Sequence, residues 1–202
     1  LRVATSSTVF VPVYFSTYAA NAAAQETLMG WNGAFYGMLA AMILYNLFLF
    51  FSLRERGYFW YVVYGINVGL LGASFDGMLF KLLPEYVTFQ SVSIYILMYT
   101  QCLAAAQFSR HFLHTKENFP RLDRGLRVAI LLIFGLLVSG LLLDLQSWNV
   151  LASLTLLSTS LGLLLIGIYA WRQGLRYGSY YTLAWSVVLI AFVIVTTASL
   201  GF

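Results

Sequence analysis

The chain has 202 residues, of which 61% are apolar and only 9% charged. A water-soluble domain carries about 25% charged residues, so a soluble fold of this composition has no way to cover its surface. The formal charge of +4 does not point to nucleic acid, because the basic residues sit in the breaks between apolar runs, where membrane topology places them.

Leu1 to Phe15, LRVATSSTVFVPVYF, is rich in Val, Thr and aromatics around a Thr-Ser-Ser interruption, a pattern of two short strands joined by a turn. A signal peptide is the rival reading, with Arg2, an apolar stretch and Ala-Asn-Ala near residues 20–22, but Thr5, Ser6 and Ser7 interrupt its apolar core. Residues 1–18 are therefore expected to be the last β strands of an extracytoplasmic domain and its linker. Ser16 to Gln25 forms a small-residue lead into a membrane domain over 19–202. A start at Leu1 without Met and a stop at Phe202 inside an apolar run are expected of a segment cut from a longer protein. The single Cys102 lies within an apolar run, so there is no disulfide framework.

Six membrane helices are expected, at about 26–53, 58–80, 86–113, 126–143, 148–171 and 179–202. The first carries Trp31 as an interfacial anchor. Gly30, Gly33, Gly37 and Ala41 lie at spacings of three and four, a stripe that Tyr45 continues. Small residues so placed let a neighbouring backbone approach closely, as membrane helices require. The second repeats the device with Gly65, Gly69, Gly72 and Asp76. Between the two lies Arg54-Glu55-Arg56-Gly57, too short and too charged to lie in hydrocarbon, so both helices must end at one membrane surface. Pro84 ends the second helix, and the third places Ser93, Thr100, Gln101 and Ala104 on one face.

Lys and Arg in short loops stay in the cytoplasm. Arg54, Arg56, Arg110, Lys116, Arg121, Arg124, Arg127, Arg172 and Arg176 fall in the loops of one side, against Arg2 and Lys81 on the other. The expected location is a bacterial inner membrane, with an extracytoplasmic amino terminus and, after six helices, an extracytoplasmic Phe202.

AAMILYNLFLFFSLRERGYFWYVVY at 40–64, FSRHFLHTKENFPRLDRGLR at 108–127 and YYTLAWS at 180–186, taken in order, carry a resemblance. Over about residues 28–202 the chain resembles the membrane region of the bacterial seven-transmembrane receptors with diverse intracellular signalling modules. The resemblance implies a polytopic all-α bundle of seven helices, six of them in this sequence. It also implies a preceding β-sandwich similar to a carbohydrate-binding module. A cytoplasmic output module such as a histidine kinase or diguanylate cyclase would follow, with a homodimer as the form such outputs imply. The expected function is relay of an extracytoplasmic signal, carbohydrate-like or otherwise, to that module. A small-solute transporter or channel is the alternative, disfavoured by a thin midplane polar inventory and by only three prolines.

Asp76 is the acidic candidate inside the membrane, one turn from the outer end of its helix, where a carboxylate is costly and by default functional. The bland reading is a hydrated helix-end contact. Asn46 and Asn67 are candidates for hydrogen bonds across helices, and Tyr45 and Gln101 complete the candidate sensing set. His111, His114 and Glu117 recur at metal-ligand spacing, but no second cluster completes a site, and a solvated helix end is the better reading. No cofactor and no catalytic site is expected. There is no H-E-x-x-H, phosphate loop or nucleophile elbow, no intramembrane His for a serine protease, and no second carboxylate beside Asp76 for a paired-aspartate protease.

Overall fold

The computed structural model describes residues 17–78 and 87–199. Among them every regular element is a helix: α1 Tyr18–Leu53, α2 Arg56–Phe75, α3 Val87–Phe112, the short α4 Thr115–Asn118, α5 Pro120–Ser139, α6 Leu145–Arg172 and α7 Arg176–Ser199. The strands expected in the first 15 residues lie outside the described residues. Each of the six long helices overlaps one of the six expected ranges.

Their ends differ from expectation where local chemistry overrides the apolar pattern. Residues 18–25, read as a linker, are the alanine-rich first turns of α1, since alanine is the best helix former. The second helix does not reach Phe80. It closes at Phe75, with the Asp76 N–H on the Gly72 carbonyl at 2.9 Å and Gly77 at φ +70° turning the chain away. The fourth starts at Pro120, not near Leu126, because proline is pre-set for the first helical position, and it gives way at Gly140. Of the expected turn Asp144 to Ser147, only Asp144 precedes the next helix. Its carboxylate accepts from the Ser147 N–H at 3.0 Å and caps α6.

The chain divides into two compact units, Leu1–Met42 and Ile43–Phe202. The first, as far as described, is the amino-terminal part of α1. Within it a methyl group added at Gly33 or Gly37 would touch nothing, so the use of that stripe in packing remains an expectation.

The second unit is built around α3, which packs on α2, α5 and α6, while α6 also pairs with α7. Tyr99, Cys102, Ala105 and Ser109 of α3 are buried. Met98, Tyr99 and Cys102 meet Ile133, Trp148 and Ala152 in one core layer; Ala105 and Leu113 meet Leu126, Leu163, Tyr181 and Trp185 in the next. The outer surface is apolar, with Phe48, Leu131 and Leu142 largely exposed, the inverse of a soluble protein and the surface a bilayer requires. Among the described residues α1 from Asn21, α2 and α6 are each long and apolar enough to cross a membrane. The central α3 is more polar because its neighbours, not lipid, receive Thr100, Gln101 and Ser109.

Candidate functional site

The loops with the basic residues come together at one end of the second unit. Glu55, in the two-residue break between α1 and α2, meets Nε2 of His114 at 3.6 Å. The Asn118 amide donates to the Tyr177 hydroxyl at 3.4 Å, bringing the start of α7 to α4. All nine Lys and Arg residues of the described chain belong to this charged end.

Its hub is Asp123, whose side chain is only 1% exposed. Oδ1 accepts from Arg110 Nε at 2.9 Å and from Thr115 Oγ1 at 3.0 Å, and Oδ2 accepts from Arg127 Nε at 2.8 Å. Burial by itself would raise the carboxyl pKa, but the hydrogen bonds from Arg110, Arg127 and Thr115 outweigh it and hold it at about 2. One anion thus ties the end of α3, the start of α4 and the first turns of α5. Beside it a cleft of about 380 Å³ is floored by Tyr61, Phe108 and Phe112, with Asn46, Glu55 and His114 on its walls.

Towards the middle of the bundle the helices exchange weaker bonds. Asn67 Nδ2 donates to the Val63 carbonyl at 3.2 Å, which turns Oδ1 towards α3, where Thr100 Oγ1 reaches it at 2.7 Å. The same hydroxyl lies 2.9 Å from the Ile96 carbonyl. The Leu97 carbonyl lies 3.1 Å away as well, so the hydroxyl's one hydrogen faces three acceptors, one across the interface and two on its own helix. Ser109 Oγ donates to the Ala105 carbonyl at 2.7 Å, so Tyr181 is the donor in the 2.6 Å contact that joins α7 to α3. At the far end Trp148 stacks on Tyr99 at 5.7 Å and donates from Nε1 to the Leu136 carbonyl at 3.1 Å, pinning α3, α5 and α6.

Conserving the overall bundle while exchanging such bonds needs little free energy, since an interhelical hydrogen bond in a membrane averages about 0.6 kcal/mol. A family model described as 7TM diverse intracellular signalling matches residues 28–202. The chain belongs to that family. As a member of the 7TM diverse intracellular signalling family it is a membrane sensor domain linked to signalling inside the cell. No curated protein and no solved structure matches the chain.

In this 7TM signalling domain the candidate sensing residues do not form one site. Asp76 is exposed at the C-cap of α2, not within the helix as expected, because the helix stops at Phe75. Asn46 lies half-buried at the charged end, and Tyr45 beside it is 63% exposed. Asn67 and Gln101 do share the α2–α3 side of the core. Gln101 is buried beside Tyr64, and its Oε1 has no hydrogen-bond partner among the described residues. Gly65 is buried and Gly69 and Gly72 are half-buried on α2. Among the described residues no group of His, Cys, Asp and Glu is arranged for a metal, and His114 is engaged by Glu55.

Sequence reasoning missed Asp123, taken as part of a basic loop. Its signals were present: Pro120 opening a helix, an acid in the first turn, and Arg127 four residues on. It also missed three glycines at close approaches. A Cβ at Gly140 would strike the Trp148 ring, one at Gly167 would lie 2.7 Å from Tyr181, and one at Gly178 would lie 2.8 Å from the Trp171 backbone nitrogen.

The Thr100 alternative makes a prediction. Asn67→Leu removes the acceptor on α2 and should shift a two-state equilibrium about threefold, the equivalent of about 0.6 kcal/mol. Disulfide crosslinking between cysteines placed on α2 and α3 checks it; an unchanged pattern would remove the bond from the switching interface.

Proposed function

We propose that this domain receives a signal at the extracytoplasmic face of a bacterial inner membrane and passes it, by a change in helix packing, to a cytoplasmic module of the same protein. The family match over residues 28–202 carries this reading. The gathering of Arg54, Arg56, Arg110, Lys116, Arg121, Arg124, Arg127, Arg172 and Arg176 at one end supports a cytoplasmic placement of that end. The opposite end then presents Asp76 and Asp144 to the extracytoplasmic side, as carboxylates open to an incoming ligand, carbohydrate-like or otherwise. A histidine kinase or diguanylate cyclase is the kind of output proposed, and a homodimer its working form. The domain itself senses and relays without catalysing a reaction.

The mechanism follows from the energetics. Thr100, Tyr181 and His114 each join α3 or its following turn to another element through contacts that are individually weak, so a ligand needs only a modest preference for one packing to shift the population. Replacing residues 28–202 of the full-length protein by unrelated membrane helices is expected to abolish signal-dependent output while leaving the output module folded. Preserved signal dependence would reduce the domain to a passive anchor. Labelling of single cysteines at Arg54 and Lys116 in intact cells by an impermeant reagent should fail. Labelling from outside would overturn the inward direction.

A further inference from the structure

At the charged end a cleft of about 670 Å³ opens among the start of α2, the end of α3, α4 and the second turn of α5. Arg56, Arg110, His111, Lys116 and Arg127 line it from four elements, α2 and the consecutive α3, α4 and α5. Asp123 sits behind the cations. It satisfies one side of each of two guanidiniums and neutralises one charge of the pair, while Arg110 Nη1 is held by Gln107 Oε1 at 3.0 Å. The planes of Arg110 and Arg127 are thereby set before anything binds, an arrangement suited to phosphate oxygens. Arg56 and Lys116 are exposed and form no ion pair with a carboxylate among the described residues. Of the nearby acids, Glu55 is engaged by His114, and Glu117 lines a smaller adjoining cleft of about 140 Å³. The amino end of the 20-residue α2 adds its own partial positive charge, and its N-cap Glu55 makes no side-chain capping bond.

The other wall is apolar: Phe50 packs on Phe59 at 5.4 Å, and Phe59 on Trp60 at 5.5 Å. A cleft with fixed cations on one side and interfacial aromatics on the other matches a molecule that is itself an anion joined to a hydrocarbon chain. We infer that this cleft holds the phosphate headgroup of an anionic phospholipid, with the first part of its acyl chains lying on Phe50, Phe59 and Trp60. The lipid would bridge α2 to α3 and α5, fixing the register in which the α1–α2 turn meets the Asp123 hub. This rests on membrane insertion alone and is independent of which signal the receptor reads.

The test uses the purified protein in detergent, with phosphatidylglycerol, phosphatidylethanolamine and inorganic phosphate as separate probes, and reads bound lipid by native mass spectrometry and stability by thermal unfolding. Phosphatidylglycerol should be retained and raise the melting temperature, while phosphatidylethanolamine and inorganic phosphate should not. The double variant Arg56→Gln, Lys116→Gln, exposed at both positions and checked for unchanged helicity, should weaken phosphatidylglycerol binding about thirty-fold. The variant Arg172→Gln, Arg176→Gln removes the same charge from another turn at this end and should change binding less than about twofold. Equal losses in the two variants would mean diffuse surface attraction and would overturn the site. Stabilisation by inorganic phosphate equal to that by phosphatidylglycerol would overturn the lipid as its occupant.

Discussion

Asp123→Ala is expected to destabilise the protein by about 3 kcal/mol, at the low end of the range for breaking a buried ion pair. The carboxylate is almost fully enclosed and accepts from three side chains. Its removal leaves the Arg110 Nε–H, on a side chain 18% exposed, without its acceptor, while the buried Thr115 hydroxyl falls back on the Arg110 carbonyl at 3.3 Å; the stranded guanidinium donor carries most of the penalty. Arg127 contributes less. At 57% exposure it turns to water when its partner is lost, so little of the penalty falls on it. Asp123→Asn keeps one carbonyl acceptor and should fall between the two, at about 1–2 kcal/mol. Thermal unfolding of the protein in nanodiscs measures both. An Asp123→Ala variant that melts like the wild type would show that the hub is not structural.

The same residue predicts a pH dependence whose sign is fixed by the direction of its shift. Burial opposes ionisation, yet the donors from Arg110, Arg127 and Thr115 bring the folded pKa to about 2, below the roughly 3.9 of an unfolded chain. The stabilisation is therefore complete above about pH 4 and is lost as the pH falls through about 2. The difference in stability between wild type and Asp123→Asn should be flat at neutral pH and shrink across that acid interval.

Much of the architecture was legible because membrane sequence patterns are local. The break at Arg54-Glu55 is visible as charge between two apolar runs, and the turn at Gly174 as a glycine between Arg172 and Arg176. The gathering of basic loops at one end follows from helix parity alone. Asn67 and Thr100 could be suspected from their faces, but their pairing depends on the register of α2 against α3, which no single helix encodes. Asp76 was misplaced because hydropathy runs on through Gly77, while the backbone stops where glycine takes a positive φ. Asp123 was lost for the complementary reason: a charged segment read as loop is helical from Pro120, and the buried carboxylate is acceptable there because Arg110 arrives from thirteen residues earlier to join Thr115 and Arg127.

Gly178→Ala should be more damaging than Gly167→Ala, costing about 2–3 kcal/mol as overpacking against a rigid wall. The added methyl would lie 2.8 Å from the Trp171 nitrogen, 3.1 Å from its Cα and 3.2 Å from the Ala170 carbonyl carbon, all backbone atoms of the last turn of α6. Backbone in a helix cannot rotate aside as a side chain does, so the first turn of α7 must lift from α6. Gly167→Ala presents a different obstacle. Its methyl would press on the Tyr181 ring at 2.7 Å and on Thr182 Oγ1 at 2.9 Å, and the ring can yield only by loosening its 2.6 Å contact with Ser109. That variant should cost about 1–2 kcal/mol, and it should weaken the attachment of α7 to α3 rather than open the α6–α7 turn. Gly162, on the same α6, has nothing within 4 Å of a Cβ, so Gly162→Ala should be neutral or stabilising by about 0.5–1 kcal/mol through helix propensity alone. Melting temperatures of the three variants in one membrane mimetic decide the matter. If Gly178→Ala melts with Gly162→Ala, close backbone contact is not what holds the first turn of α7 against α6.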